Sequence, residues 1–318
     1  MNKQNSKTPK RPSYKSGYFK VSDGHQLYYE LYGNPKGIPV VTLHGGPGSG
    51  FSERYKTYFN PKIFNVLLFD QRGAGRSKPF AGLKANTTQK LADDINALMD
   101  FVGFEKAIFY GGSWGSTLAL VFAIQNPKRV FHMVLRSLFL ANREAMDYYI
   151  RGQVANFYPD VWQRFIDMVP EKLQHNPLRY YYKQMTTGSA SVRKKFAEEW
   201  ARYELTIAPL NKPTEAKIQK MLGEFSFESL GTLEAHYISQ NCFLAEDYIL
   251  KNTHKIAAIP LDLMHGHYDL VCPAKHAHTL HSHLPKSTLK LFVQGHFMSA
   301  AECVGYTKAK LKKAAARW

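Results

Sequence analysis

A chain of 318 residues with 44% hydrophobic and 21% charged side chains can bury a sizeable core, which excludes a disordered polypeptide. Its three cysteines, Cys242, Cys272 and Cys303, are too sparse and unevenly spaced for a disulfide framework or a cysteine metal site, and no apolar run is long enough to span a bilayer, so a reducing, cytoplasmic setting is expected. The formal net charge of +17 leaves nucleic acid or an anionic membrane open as partners, yet part of the excess is local: Lys3, Lys7, Lys10, Arg11 and Lys15 precede the first acid, Asp23, while Lys308, Lys310, Lys312, Lys313 and Arg317 crowd the other end. Solvated basic tails, with residues 1–15 disordered, are the plainer account.

Along the chain, "QLYYELYG" alternates and stops at Gly33, "IPVVTLHGG" is a buried-strand run ending in glycines, and "IFNVLLFDQRG" is another. Thr87 to Gly103 places Leu91, Ile95, Leu98, Met99 and Val102 at helical spacing and ends on a glycine, which predicts a packing helix. "AIFYGGS" and "VFHMVLRS" read as two more strands, so the first part alternates strand and helix as a mostly parallel α/β sheet does. From Asn142 to Tyr248 strand-like runs vanish, and "DVWQRFIDMVPEKL" and "ASVRKKFAEEWARYEL" have helical periodicity. "IPLDLMHG" and "STLKLFVQGH" then resume the sheet. The expectation is one α/β domain in two pieces, 16–141 and 249–318, with an all-helical cap over 142–248.

Gly111, Ser113 and Gly115 form G-x-S-x-G between the strand "AIFY" and a helix-forming run. A sharp strand-to-helix turn needs small flanking residues and presents the serine hydroxyl outward, as a nucleophile elbow does. A glycine-rich turn with a capping serine is the competing account. Serine needs a base to take its proton and an acid to orient that base. Asp269 in "HGHYDLVCP" and His296 in "QGHFMS" follow in that order, each just past a strand. An oxyanion needs two backbone donors: the N–H of Trp114, expected to serve by its backbone more than by its ring, and that of Gly46 in "HGGPG". His265, His267 and Asp269 could instead be metal ligands, though His276, His278, His281 and His283 look like a helix surface rather than further ligands.

"LHGGPG", "DQRGAGRSKP", "NTTQKLADDI", "GGSWGSTLAL" and "HYDLVCP", in this order, resemble proline iminopeptidase (prolyl aminopeptidase), an α/β-hydrolase family of serine peptidases, over about Ser16 to at least His296. The resemblance implies the α/β-hydrolase fold, a Ser113–Asp269–His296 triad, no metal or organic cofactor, and short peptides with N-terminal proline as substrates. Holding a protonated secondary amine calls for carboxylates beside a small apolar slot. Glu204 in "WARYEL" and Glu234 in "LEAHYI" match the family's amine-binding positions; without the resemblance each would be a solvated helix glutamate. By the same resemblance Arg136 supports that carboxylate cluster and Phe139 lines the slot.

Several positions depart from the family. Tyr203 replaces the second tryptophan of W-x-x-W-E, Ile238 replaces the phenylalanine of E-N-H-Y-F, His267 stands in the usual G-R-Y-D, and "GHFMSA" replaces "GHSAFE". Ile238 puts the shape of the proline slot in doubt. Cys272, close behind Asp269, is expected near the triad, either as a reactive thiol or as an inert buried one. Two other functions stay open: an esterase or amidase on this scaffold acting on neutral substrates, and a basic binding protein that keeps the fold and uses its tails on nucleic acid or membrane. The family includes monomers and oligomers, so a homo-oligomer also stays open.

Overall fold

A computed structural model describes residues 11–224 and 226–318. Eight strands form one sheet: β1 (Lys15–Lys20), β2 (Gln26–Gly33), β3 (Ile38–Leu43), β4 (Phe64–Phe69), β5 (Ala107–Gly112), β6 (Val130–Arg136), β7 (Leu261–Gly266) and β8 (Ser287–Phe292), in spatial order β1-β2-β4-β3-β5-β6-β7-β8. β2 pairs antiparallel with β1 on one side and with β4 on the other, and all remaining pairs are parallel. The chain leaves β3 towards β4 on one side and returns through α1 (Thr88–Val102) to β5 on the other, so the strand order reverses beside β3. Ligand sites of open α/β sheets sit at the carboxyl ends of strands at such a reversal.

Local chemistry sets the helix limits. Thr87 caps α1 through its side chain, and Gly103 ends it in the left-handed region at φ 78°. α2 (Trp114–Gln125) is apolar all round, and every residue from Trp114 to Ile124 is buried. It packs with α1 on one face of the sheet, where Leu43, Phe109 and Leu135 meet Leu118 and Phe122. The opposite face carries Val66, Tyr110, Val134 and Met264 under the 3-10 turn Glu53–Tyr58 and α11 (Ala301–Ala315).

Between β6 and β7 lie α3 (Arg143–Ile150), α4 (Pro159–Asp167), α5 (Pro177–Thr187), α6 (Ala190–Ile207), α7 (Glu215–Glu224), α8 (Phe227–Ser239) and α9 (Tyr248–Lys251), with α10 (Ala274–His283) following β7. The single helix read from "DVWQRFIDMVPEKL" is broken: α4 ends at Asp167, and Pro170, lacking an N–H, starts a separate 3-10 turn at Glu171–Leu173. The histidines read as a helix surface lie on α10, except that His276 faces inward and is 2% exposed. No helix among the described residues is long and apolar enough to cross a membrane.

Both basic ends need correction. Residues 1–10 of the expected tail lie outside the described residues, but 11–15 are tied down: the Ser13 hydroxyl donates to Glu30, Tyr14 N–H donates to the Leu31 carbonyl, and β1 starts at Lys15. Lys56, itself buried, pairs with Glu30 at 2.7 Å and donates to the Arg11 carbonyl at 2.9 Å. The C-terminal lysines sit on α11, whose other side buries Cys303, Thr307, Leu311 and Ala314. One of them is no solvated charge. Lys310 donates to Asp262 of β7 at 2.5 Å, where Thr288 of β8 and His132 of β6 also converge at 2.6 and 2.8 Å.

Burial opposes ionisation of Asp262, but the hydrogen bonds from His132, Lys310 and Thr288 outweigh it and hold the carboxyl well below its ordinary range. A group whose folded pKa is depressed stabilises the fold above its unfolded value and loses that contribution as pH falls. Asp262→Asn is therefore expected to lower stability at neutral pH by about 2 kcal/mol. Denaturant titrations of both proteins should show the difference narrowing below about pH 4; a gap that stays constant down to pH 3 would refute this role.

Candidate active site

Ser113 follows β5 and precedes α2 with φ 56° and ψ −127°, a region that L-residues avoid and that a sharp elbow imposes. The turn fits because its neighbours lack side chains. A Cβ on Gly115 would stand 2.1 Å from the Leu43 carbonyl oxygen, and one on Gly111 would stand 2.5 Å from that of Gly115. The Ser113 N–H donates to the Arg136 carbonyl, while its own carbonyl accepts from Ser116 N–H at 2.8 Å.

β3 is the neighbour of β5, so the loop His44–Gly48 emerges beside the elbow. Gly45, which the sequence reading passed over, faces the serine: a Cβ there would lie 3.4 Å from Ser113 Cβ and 4.0 Å from its Oγ. Gly46 has φ 103° and Gly48 φ 110°, both glycine conformations. Gln71, at the end of β4, clamps loop to elbow. Its amide donates to the His44 carbonyl at 2.9 Å, its backbone N–H donates to His44 Nε2 at 2.9 Å, and its side-chain oxygen accepts the Trp114 indole N–H at 2.9 Å. The Trp114 ring, fully buried, also meets Tyr237 edge-on at 4.8 Å. The ring, which the sequence reading set below the backbone N–H, ties the elbow to Gln71 and to α8.

Past β7 and β8 the chain brings Asp269 to His296, Nδ1 to Oδ2 at 2.8 Å, both nearly buried. The other Asp269 oxygen accepts from the N–H groups of Val271 and Cys272 at 2.9 and 2.8 Å. Desolvation opposes the charge on Asp269, but His296 and His265 overcome it and keep the carboxylate well below its ordinary range. Leu138 N–H donates to His265 Nδ1, so the His265 proton lies on Nε2, which faces the Cys272 carbonyl at 2.7 Å and Asp269 at 3.3 Å. His265 is thereby committed to protein groups and His267 is exposed, so the metal reading of "HGHYD" finds no converging ligands among the described residues. The Cys272 thiol is buried against the Ser113 hydroxyl, and burial followed by the charges of Asp269, Glu204 and Glu234 pushes its pKa well up, keeping it a thiol.

Glu204 on α6 and Glu234 on α8 meet in the helical insertion. Trp200 donates its indole N–H to Glu234 at 2.6 Å and Tyr149 its hydroxyl to Glu204 at 3.0 Å. Burial, then the neighbouring Glu204 carboxylate, pushes the Glu234 carboxyl well above its ordinary range, so Glu234 keeps its proton. Around them Tyr149, Tyr203, Phe165 and Trp200 form a continuous aromatic wall, with Tyr203 4.5 Å from Phe165 and 5.7 Å from Tyr149. α8 is pinned to the loop His44–Gly48, because the Ser229 hydroxyl donates to the Gly48 carbonyl at 2.7 Å and a Cβ on Gly46 would lie 3.2 Å from Leu230. Glu234 lies little more than one helical turn beyond that contact.

One assignment shifts. The Arg136 side chain faces Tyr55, Tyr58 and Tyr110 on the opposite face of the sheet, not the carboxylates, and the support expected from it comes from Tyr149 and Trp200. Ile238 lines a surface hollow with Met146, Ile150 and Leu178. Phe139 is half-buried after β6, its carbonyl accepting from Thr117 of α2. Trp200 was within reach of the sequence reading, since it opens the "WARYEL" segment. Gln71 lies in the "DQRGAGRSKP" motif, which gave it no role, and Tyr149 carried no pattern that marked it.

The α/β-hydrolase fold family matches residues 38–301. The chain is 37% identical over 293 residues to a proline iminopeptidase of Arabidopsis thaliana, covering 92% of this chain and 77% of that protein. It is 36% identical over 284 residues to a proline iminopeptidase of Xylella fastidiosa, with 89% and 90% covered. Among solved structures, an esterase from Exiguobacterium antarcticum superposes with a TM-score of 0.62 at 20% identity over 94% of this chain and 99% of that one, a likeness of fold.

If Gln71 holds the two oxyanion arms together, Gln71→Ala should lower kcat about 10- to 100-fold with KM little changed, because the loss falls on transition-state stabilisation. Steady-state kinetics on a chromogenic substrate decide this, and an unaltered kcat would rule the clamp out.

Proposed function

The chain belongs to the proline iminopeptidase family within the α/β-hydrolase fold, and from that membership we propose that it is a serine aminopeptidase releasing N-terminal proline from short peptides. Ser113 attacks the proline carbonyl carbon while His296 Nε2 takes the hydroxyl proton, and Asp269 holds the ring through Nδ1 and offsets its developing charge. The N–H groups of Trp114 and Gly46 receive the oxyanion. Collapse passes the proton to the departing peptide amine and leaves a prolyl ester on Ser113. Water, deprotonated by His296, then attacks that ester and frees proline.

The observation that carries the substrate class is the Glu204–Glu234 pair. Two carboxyl groups held together away from water repel one another when both ionise. A secondary ammonium entering between them displaces the Glu234 proton and is neutralised, while a neutral acyl group leaves the pair uncompensated. The aromatic wall of Tyr149, Tyr203 and Trp200 gives the pyrrolidine ring apolar contact. The helical stretch 142–248 acts as the cap, and by joining the oxyanion loop to α8 it sets the spacing between the scissile carbonyl and the free amine, so the peptide is counted from its first residue. The scheme calls for neither metal nor organic cofactor. A cytoplasmic setting fits the three free, buried cysteines.

Glu204→Gln and Glu234→Gln should each lower kcat/KM for a proline arylamide about 30-fold or more, as loss of one partner of a buried charge pair does. Cleavage of a neutral acyl ester should stay within a few-fold of wild type, and Ser113→Ala should abolish both reactions. Equal losses on the amide and the ester would sink the amine clamp and favour the esterase reading.

A further inference from the structure

Ser113 stands at the carboxyl end of β5, so the amino ends of the parallel strands form the opposite end of the sheet and take no part in the site. The four neighbouring strands β4, β3, β5 and β6 all start there, and each is entered through a lysine one or two residues earlier: Lys62, Lys36, Lys106 and Lys128. Strands in a sheet lie about 4.8 Å apart, so these lysines form a row about 15 Å long. α11 finishes at the same end. The Trp318 ring lies 4.9 Å from that of Phe131, the second residue of β6, and Lys106 Nζ lies 5.4 Å from the centre of the Phe131 ring. The last turn of α11 and the residues after it add Lys312, Lys313 and Arg317, on the side away from buried Leu311 and Ala314. All of these cations are exposed, and among the described residues none has an ion-pair partner. The exposed carboxylates at this end are Asp100, which Arg129 already pairs at 2.7 Å, and Glu105.

Charges spaced within a Debye length, about 8 Å at physiological ionic strength, repel one another with little screening. A partner that presents many negative charges across a broad surface relieves that repulsion. Trp318 is 47% exposed beside these lysines, and an indole, apolar in body with one N–H, settles at the head-group level of a bilayer. We infer that this end of the sheet docks on an anionic phospholipid bilayer, with the lysine row and the end of α11 on the head groups and the Trp318 indole in the interface. Single-stranded nucleic acid fits less well, because it is held along a groove by several aromatic rings that stack on successive bases, and this face presents one exposed indole. Docking in this way turns the Ser113 end of the sheet away from the lipid, so substrate reaches a docked molecule as it reaches a free one.

Binding is read without turnover, so its test does not depend on the peptidase activity. Vesicles of phosphatidylcholine with about 30% phosphatidylserine should pellet the full chain at about 100 mM NaCl, and raising NaCl to about 500 mM should release it. Vesicles of phosphatidylcholine alone should leave it in the supernatant. Each cation at such a surface is worth about 5-fold in partitioning, so Lys106→Gln, Lys312→Gln and Lys313→Gln combined should lower the partition coefficient about 100-fold. The same three charges removed from the helical insertion, by Lys183→Gln, Lys194→Gln and Lys195→Gln, should lower it less than about 5-fold. Equal losses in the two triple variants would reduce the effect to overall net charge and overturn the docking face, as would equal pelleting by phosphatidylcholine alone. No pelleting by either vesicle, with a DNA duplex or an RNA strand bound at the same salt, would assign the face to nucleic acid and overturn it too.

Discussion

The approach of α2 to β3 at Gly115 governs the geometry of the whole site. The helix starts so close to the Leu43 carbonyl oxygen that even a methyl group would stand 2.1 Å from it. The turn at Ser113, with φ 56° and ψ −127°, accommodates that approach, and the loop His44–Gly48, which begins one residue after Leu43, lies beside the elbow. Gln71 then joins both to β4 through His44 and Trp114. Strain stored at one serine persists because the surrounding contacts over-determine it.

A second constraint is the enclosure of two carboxyl groups by aromatic rings. Glu234 is 4% exposed and leans on Trp200, while Glu204 takes the Tyr149 hydroxyl. The enclosure is set at a fixed reach from the nucleophile because α8 is held at several points. Ser229 holds Gly48 of the oxyanion loop, Tyr237 donates to Asn86 at 2.8 Å, and the Tyr237 ring packs on Trp114. The short "LEAHY" segment therefore joins one group in the site, Glu234, to one that anchors its helix, Tyr237.

Much of this was legible in the residues. Strand and helix alternation, the glycine-flanked serine and the order Ser113, Asp269, His296 are local patterns, and the limits of α1 were set by Thr87 and Gly103. What escaped the reading depends on tertiary pairing. Gln71 and Tyr149 act through partners distant in sequence, and His265 orients Asp269 only because β7 returns beside the segment after β6. Arg136 was misplaced although strand parity held the answer: it shares its side of β6 with Val134, which faces the second core. The basic C-terminus hid an amphipathic helix, since Cys303, Thr307, Leu311 and Ala314 recur at helical spacing beneath the lysines.

The central claim is that one pocket grips the free amine with Glu204 and Glu234 while Ser113 meets the carbonyl carbon. A crystal structure with the boronic acid analogue of proline, which forms a tetrahedral adduct on a serine hydroxyl, tests both halves together. The account predicts boron bonded to Ser113 Oγ, one boronate oxygen on the Trp114 N–H, and the pyrrolidine nitrogen within hydrogen-bond distance of both glutamates. A ring nitrogen directed away from Glu204 and Glu234, or an adduct on any other residue, would contradict it.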